Sequence, residues 1–307
     1  MNLRPSQNER TKYGVDYSKD TDFSAYARLL QSKWRESKKL PYNRAKYGNF
    51  LPAQFAKTAK SNFLTENIKL LVEYELLRKA NFNKLIREDR MWENLLSSQP
   101  LCFNLFGELH FDHKLATKFF KKLFPQMVDK VTDIFFEHSP GRGNEIFTGD
   151  HSAFDIFVEY SREGIKGFIG IEVKYAECLK EESSSKAEAI LKKHSARYSQ
   201  LTTLDVFKPG AIMNVSKPPL SQIWRDHLLS ISTRNSYDEG FFVFLFPSQN
   251  SHCKQGVEDY QNFLIGNNSD QEKTGFYPRH LDDFIRTLRQ LHPTDWTAEL
   301  EKRYLGT

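Results

Sequence analysis

The feature that most constrains the fold of this chain is a pair of strand-like runs around a short turn, in residues 152–175, SAFDIFVEYSREGIKGFIGIEVKY. The runs 153–160 and 167–175 are rich in Phe, Ile, Val and Tyr, residue types that favour strands. Glu163 and Gly164 lie between them, and a glycine at this place is typical of a tight hairpin turn. The pattern predicts an antiparallel β-hairpin.

The turn decides which side chains of the hairpin face each other. Counting back from it places Asp155 directly opposite Glu172, and Lys174 falls on the same face because side chains alternate along a strand. The other face is predicted to be apolar throughout, with Phe154, Ile156, Val158, Tyr160, Ile169, Ile171 and Val173. Burial of that face holds the register, since a slip of one residue would bury the charges.

The charged face suits phosphoryl chemistry. Cross-strand partners have Cβ atoms about 4.5–5.5 Å apart, close enough for Asp155 and Glu172 to share one divalent cation. A cation such as Mg²⁺, which takes oxygen ligands, also removes the repulsion between the two carboxylates. The ammonium of Lys174 is suited to stabilise charge on a phosphate or to help position an attacking water. The alternative is a ribbon with one solvated face, because Glu-x-Lys alone is a common sequence.

These residues resemble the signature of the PD-(D/E)xK nuclease superfamily, an acidic residue on one strand and Glu-x-Lys on the next. Asp155, Glu172 and Lys174 match it, and Phe154 stands where the name of the signature has proline. The runs NLFGELHFD, FFEHSPGRG, GIEVKYAE and QIWRDHLLS add a resemblance to a restriction-endonuclease-like bacterial family within that superfamily. The resemblance covers residues 104–304.

The resemblance implies an α/β fold, a restriction-endonuclease-like core of order αβββαβ with a mixed central β-sheet flanked by helices. It implies that Glu108, on the helix before the sheet, is a further catalytic and metal-binding carboxylate, and that the backbone carbonyl of Val173 binds metal. It also implies substrate contacts from Arg142, Gln222 and Arg225. The ordinary alternatives are a solvated helix glutamate, an exposed loop arginine, and capping or surface bonding by the two helix residues.

Length and charge set the surroundings of this core. With 307 residues the chain is long enough for one large domain, or for a domain with an appendage. We predict an N-terminal extension in residues 1–100, mostly helical and irregular, and a nuclease domain with C-terminal helices in 101–307. The first sixty residues interleave aromatic and basic side chains, which suits either stacking on nucleic-acid bases or an arm packed on the core. The formal net charge of +5 is only mildly basic.

The cysteines and the apolar runs bear on location. Three cysteines, at 102, 178 and 253, form no C-x-x-C pair, so the sequence supports neither a disulfide framework nor a zinc ribbon. The N-terminus lacks an apolar signal core, and the longest apolar run is far too short to span a bilayer. We therefore expect a cytoplasmic protein without a membrane partner.

Together these features predict a Mg²⁺-dependent nuclease, with Mn²⁺ as a substitute, that hydrolyses phosphodiester bonds of DNA. The expected role is that of an endonuclease in restriction or phage defence, with a homodimer or a partner protein of a defence system as possible assemblies. The alternatives are a DNA-binding subunit of a larger defence complex with little activity of its own, and a ribonuclease on the same scaffold. The presence of Asp155, Glu172 and Lys174 together disfavours a pure binding module.

Overall fold

A mixed β-sheet with helices on both faces forms the centre of the protein. The computed structural model describes residues 3–179, 184–266 and 271–307. Within them the sheet has five strands, β1 (Lys130–His138), β2 (Phe154–Arg162), β3 (Ile165–Val173), β4 (Glu239–Phe246) and β5 (Phe276–His280), which lie side by side in that order. Neighbouring strands from β1 to β3 are antiparallel, and β3, β4 and β5 are parallel. The predicted α/β architecture is confirmed.

The helices of the described residues are, in chain order, α1 (Gln7–Lys12), α2 (Asp22–Ser37), α3 (Ala53–Ala59), α4 (Glu66–Arg78), α5 (Glu88–Glu93), α6 (Ser98–Phe111), α7 (His113–Leu123), α8 (Ser184–Leu201), α9 (Ile212–Val215), α10 (Ser221–Thr233), α11 (Ser251–Gln261), α12 (Gln271–Thr274), α13 (Leu281–Leu291) and α14 (Asp295–Tyr304). None of those found in the described ranges combines the length and the apolar composition needed to cross a bilayer. The core order of helices, three strands, helices and strand agrees with the predicted αβββαβ arrangement, to which β5 is added.

The hairpin of β2 and β3 has the predicted register. Ile156 pairs with Ile171 and Arg162 with Ile165, so Glu163 and Gly164 alone form the turn, and both have positive φ, 50° and 86°. Two positive φ angles are typical of a type I′ turn, whose twist matches that of the strands it joins. The backbone conformation of the turn therefore agrees with the register of the strand pairing.

The sheet is buried on both faces, as the predicted fold with flanking helices implies. On the first face, β-strand residues such as Ile156, Ile171 and Val243 pack in one core with helices of the N-terminal half and with α13 and α14. The second face carries an aromatic core in which Phe157 and Phe168 pack with residues of α10 and α11. The face that holds the charges is thus covered by helices, and Phe157 and Phe168 on it are buried.

Phe154 was predicted on the apolar face opposite Asp155, and this prediction is wrong. Its ring packs with those of Phe157 and Phe168, with centroid distances of 5.9 and 6.5 Å, and so belongs to the second core. Gly170 on β3 makes room for it, because a Cβ atom at Gly170 would lie only 2.4 Å from the Phe154 ring. A glycine in a strand often marks such a close approach.

The first hundred residues pack against the sheet and the last helix. Gln31 of α2 donates hydrogen bonds to the Tyr175 hydroxyl (3.1 Å) and the Arg303 carbonyl (2.9 Å). Ser24 donates to the carbonyl of Ala176, close to the end of β3, at 2.8 Å. These segments share one hydrophobic core with the sheet. The domain boundary at residue 100 stays a prediction.

The aromatic and basic residues of this region contact each other within the protein. The guanidinium of Arg28 lies over the rings of Tyr17 and Tyr47, at 5.3 and 5.1 Å, and that of Arg303 over Trp34 at 4.3 Å. Such contacts are favourable for a cation on a π face. They support the interpretation of the N-terminal region as an arm that packs on the core.

Candidate active site

The three hairpin residues that were predicted to be catalytic meet at the carboxyl end of β3. The Nζ atom of Lys174 donates to Oε1 of Glu172 at 2.6 Å, and both side chains are buried. Asp155 Oδ2 accepts a hydrogen bond from the backbone N–H of Val173 at 2.8 Å. The next amide, that of Lys174, bonds to Leu245 of β4 at 2.8 Å. The structure therefore brings Asp155, Glu172 and Lys174 together.

A further carboxylate, that of Glu137 on β1, lies at the same level of the sheet. The pairs Phe136–Ile156 and His138–Phe154 flank it, so Glu137 stands beside Asp155, which itself stands beside Glu172. Glu137 has a positive φ of 46°, an uncommon backbone conformation for a residue with a side chain. The sequence prediction did not include this residue.

Burial and mutual repulsion perturb these groups. Burial raises the pKa of Asp155 well above its ordinary value, and the charges of Glu172 and Glu137 add to the rise. Burial likewise raises the pKa of Glu137 to about 7, with a further contribution from Glu172. Burial alone would lower the pKa of Lys174, but Glu172 and Asp155 reverse the effect and raise it. The ammonium of Lys174 therefore stays charged at neutral pH.

Helix α10 places two polar side chains above the carboxylates. Gln222 donates from Nε2 to Oε1 of Glu172 at 2.7 Å, so the structure brings this predicted residue to the centre. Asp226 follows one turn later on the same helix face, and its side chain is buried. Its Oδ2 atom is buried and has no hydrogen-bond partner among the described residues. Burial, followed by the charge of Glu172, raises the pKa of Asp226 well above its ordinary value, and the charge of Arg225 opposes the rise.

Arg142 lies at the β1 side of the cluster. Its Nη1 donates to the carbonyl of Asn83 at 2.7 Å, and its charge opposes the rise in the pKa of Glu137. Arg142 and Arg225 therefore stand at two edges of the acidic cluster, near Glu137 and Asp226 respectively.

Glu108 does not join the cluster in this structure. Its carboxylate accepts hydrogen bonds from Thr65 and from Asn67 (3.1 Å), at the N-terminus of α4. Another residue of α6, Cys102, is on the side of the helix nearer the cluster: burial raises the pKa of its thiol, and the charges of Asp155 and Glu172 add to the rise. Six residues on, Glu108 is roughly 120° further round the helix and roughly 9 Å along its axis. The phase of α6 thus directs Glu108 towards α4.

The carboxylate oxygens of the cluster suit one kind of metal ion. In the present side-chain positions, no three His, Cys, Asp or Glu groups within the described ranges converge on one point where they could hold an ion. Mg²⁺, however, keeps several waters and is bound through only one or two carboxylates. Asp155 and Glu172 meet that need, and Oδ2 of Asp226 is an oxygen for which the described part of the chain supplies no donor. The chemistry of the residues fits a hard divalent cation.

The raised pKa of Glu137 leads to a stability prediction in the absence of metal. Between pH 4.5 and about 7 the unfolded carboxyl loses its proton before the folded one, so the free energy of unfolding falls as the pH rises through that window. Glu137→Gln cannot ionise and should be more stable than the wild type at pH 8, by up to about 3 kcal/mol. Denaturant melts in EDTA at pH 4.5 and pH 8 measure the difference, and an equal gap at both pH values would contradict it.

Comparison with known proteins agrees with this geometry. A family model described as the PD-(D/E)XK nuclease superfamily matches residues 18–306. No curated protein and no solved structure matches the chain. The match extends well into the first hundred residues, beyond the part over which the sequence resemblance was drawn.

Proposed function

Because the chain belongs to the PD-(D/E)XK nuclease superfamily, we propose that it is a Mg²⁺-dependent nuclease that hydrolyses phosphodiester bonds of DNA. The observation that carries the proposal is the buried arrangement in which Lys174 holds Glu172 beside Asp155. A two-stranded ribbon with one solvated face would not bury these charges. We propose the role of an endonuclease in restriction or phage defence, as a homodimer or with a partner protein.

In this proposal Asp155, Glu172 and the carbonyl of Val173 bind the cation. The N–H of Val173 points towards Asp155 while the neighbouring amide of Lys174 points towards β4. Since the N–H and C=O of one strand residue point to the same side, the Val173 carbonyl also faces β2. A bound Mg²⁺ would lower the pKa of the attacking water and offset charge on the phosphate. Mn²⁺ is the expected substitute.

Lys174 acts in this proposal as a fixed positive charge. Its raised pKa keeps it protonated at neutral pH, so it is poorly suited to remove a proton from water. An ammonium held in a buried site is well suited to stabilise the charge that develops on the phosphate, where the surrounding protein excludes water. The ion pair with Glu172 fixes its position before substrate binds.

Substrate contacts are proposed for Gln222, Arg225 and Arg142. Gln222 positions Glu172 through its amide, and the two arginines flank the carboxylates on the α10 and β1 sides. Guanidinium groups bind phosphate oxygens in a bidentate manner, which would hold the scissile strand across the cluster. Glu108, assigned a catalytic role by resemblance, stays a prediction, and its contacts with Thr65 and Asn67 favour a role in holding α4.

The cysteines support a cytoplasmic location for the proposed enzyme. Cys102, Cys178 and Cys253 are all free, and two of them are buried. Burial raises the pKa of the Cys102 and Cys253 thiols, which keeps them protonated and unreactive. Free thiols are typical of proteins that work in a reducing compartment.

The test of the proposed function is a cleavage assay with the purified full-length chain. Supercoiled plasmid, linear duplex, single-stranded DNA and RNA are each incubated with Mg²⁺, Mn²⁺ or EDTA. We expect nicking or cutting of DNA with either metal and none in EDTA. Cleavage of RNA alone would favour the ribonuclease, and DNA binding without cleavage in any metal would favour the binding subunit.

A further inference from the structure

The carboxylate of Asp226 is buried beside the proposed centre without the hydrogen bonds that usually accompany burial. Its side chain is 5% exposed, and Oδ2 has no partner among the described residues. Leaving a buried acceptor without a hydrogen bond destabilises the folded protein, and the effect is larger for a charged group. Such a cost is tolerated mostly where the group has a task, so Asp226 calls for an explanation that the fold alone does not give.

Asp226 lies on the same side of α10 as a residue that contacts the proposed metal site. Gln222, one turn earlier on the same face of α10, already reaches Oε1 of Glu172 at 2.7 Å. The charges of Glu172, Lys174 and Asp155 all influence the pKa of Asp226, which places it within electrostatic range of each of them.

Another carboxylate near the cluster, that of Glu177, is already hydrogen-bonded by the protein. Glu177 accepts from the backbone N–H groups of Ser98 (3.0 Å) and Tyr175 (2.7 Å), one on each oxygen. Asp226 differs from Glu177 because one of its oxygens has no donor among the residues that the structure describes.

The positive charges beside the cluster already have partners: Lys174 is bonded to Glu172, and Arg142 to the carbonyl of Asn83. The open oxygen of Asp226 is therefore available to a divalent cation, which takes oxygen ligands.

We infer that Asp226 supplies the third carboxylate to the divalent cation, in the role that sequence resemblance gives to Glu108. The inference rests on the proposed function, since it concerns the same metal site. The two candidates are on different helices: Glu108 on α6 is held by the N-terminus of α4, whereas Asp226 on α10 lies one turn from Gln222, which contacts Glu172. Binding of the cation draws Asp226 towards Asp155 and Glu172, which requires side-chain movement from the present positions.

Calorimetric titration of the full-length protein with Mn²⁺ tests the inference without relying on cleavage. We expect Asp226→Asn to weaken Mn²⁺ binding at least tenfold, since loss of even an indirect metal contact costs 10–100-fold. Glu108→Gln, the matched control, should bind Mn²⁺ within about twofold of the wild type. Without metal, Asp226→Asn should melt at the same temperature or higher, because it removes a buried carboxyl that lacks a partner.

The outcomes separate this inference from the proposed function. If Asp155→Asn loses Mn²⁺ binding while Asp226→Asn keeps it, the inference is wrong and the centre stands. Weakened binding in Glu108→Gln alone would return the third position to Glu108. If the wild type does not bind Mn²⁺, or if Asp155→Asn binds as tightly as the wild type, the proposed centre itself fails. Should Asp226→Asn not fold, Asp226→Ser takes its place in the same titration.

Discussion

Asp155→Asn is expected to abolish detectable metal-dependent cleavage and to weaken cation binding while leaving the fold intact. Asp155 stands between Glu137 and Glu172 at one level of the sheet, so its loss removes the central carboxylate of the site. The amide is nearly the same size and still accepts the hydrogen bond from the N–H of Val173 through its oxygen. Glu172→Gln should have the same effect on cleavage, measured as plasmid nicking under Mg²⁺.

A control from the same strand makes this result specific. Glu159 lies on β2 four residues from Asp155 and accepts a hydrogen bond from the Tyr237 hydroxyl, away from the centre. Glu159→Gln should cleave at the wild-type rate. Without metal, Asp155→Asn should be at least as stable as the wild type, because burial and neighbouring charges disfavour the ionised form of Asp155. Full cleavage by Asp155→Asn or Glu172→Gln under Mg²⁺ would contradict the assignment of the metal pair.

The hairpin could be predicted from sequence because its information is local. Apolar residues at period two define the strands, and a turn of two residues with positive φ fixes the register, so Asp155 and Glu172 had to face each other. The position of Phe154 was predicted wrongly because alternation alone cannot anticipate the gap that Gly170 leaves on the second face.

Glu137 and Asp226 were missed because their placement depends on contacts distant in sequence. Glu137 reaches the level of Asp155 only through the pairing of β1 with β2, across the long loop that joins these strands. Asp226 belongs to a helix whose rotation about its axis is set by packing against the aromatic core. Glu108 shows the converse: its sequence context matches the family, but the hydrogen bonds from Thr65 and Asn67 direct its carboxylate towards α4.

The fifth strand was missed for a different reason. β5 is five residues long and contains Pro278, which lacks the N–H needed for a ladder on both sides. It lies at the edge of the sheet, where a missing donor is tolerated, and pairs only with β4. A strand of five residues carries little periodic signal, so its place in the sheet becomes visible only once the pairing is known.

Lys174→Ala is expected to lower the rate of cleavage by on the order of 10²–10³, the range for loss of one preorganised group that stabilises the transition state. The affinity for DNA should change far less, since the proposed task of Lys174 arises as charge develops on the phosphate. Single-turnover cleavage and equilibrium DNA binding at one ionic strength measure the two quantities. Lys174→Met keeps most of the buried stem and separates loss of charge from loss of packing.

Lys166 provides the matched control for this prediction. Alternation along β3 places Lys166 on the same face of the hairpin as Lys174. Lys166 lies at the turn end of the strand, however, where it is exposed and pairs with Glu159 at 3.6 Å. Lys166→Ala should leave the cleavage rate unchanged and at most slightly reduce the salt dependence of DNA binding. If Lys174→Ala behaved in the same way, the ion pair with Glu172 would be only structural and the hairpin would not be the active centre. A large loss of rate in Lys174→Ala alone would instead require a cationic group at this end of β3, because each variant removes one ammonium and only that of Lys174 is buried beside Glu172.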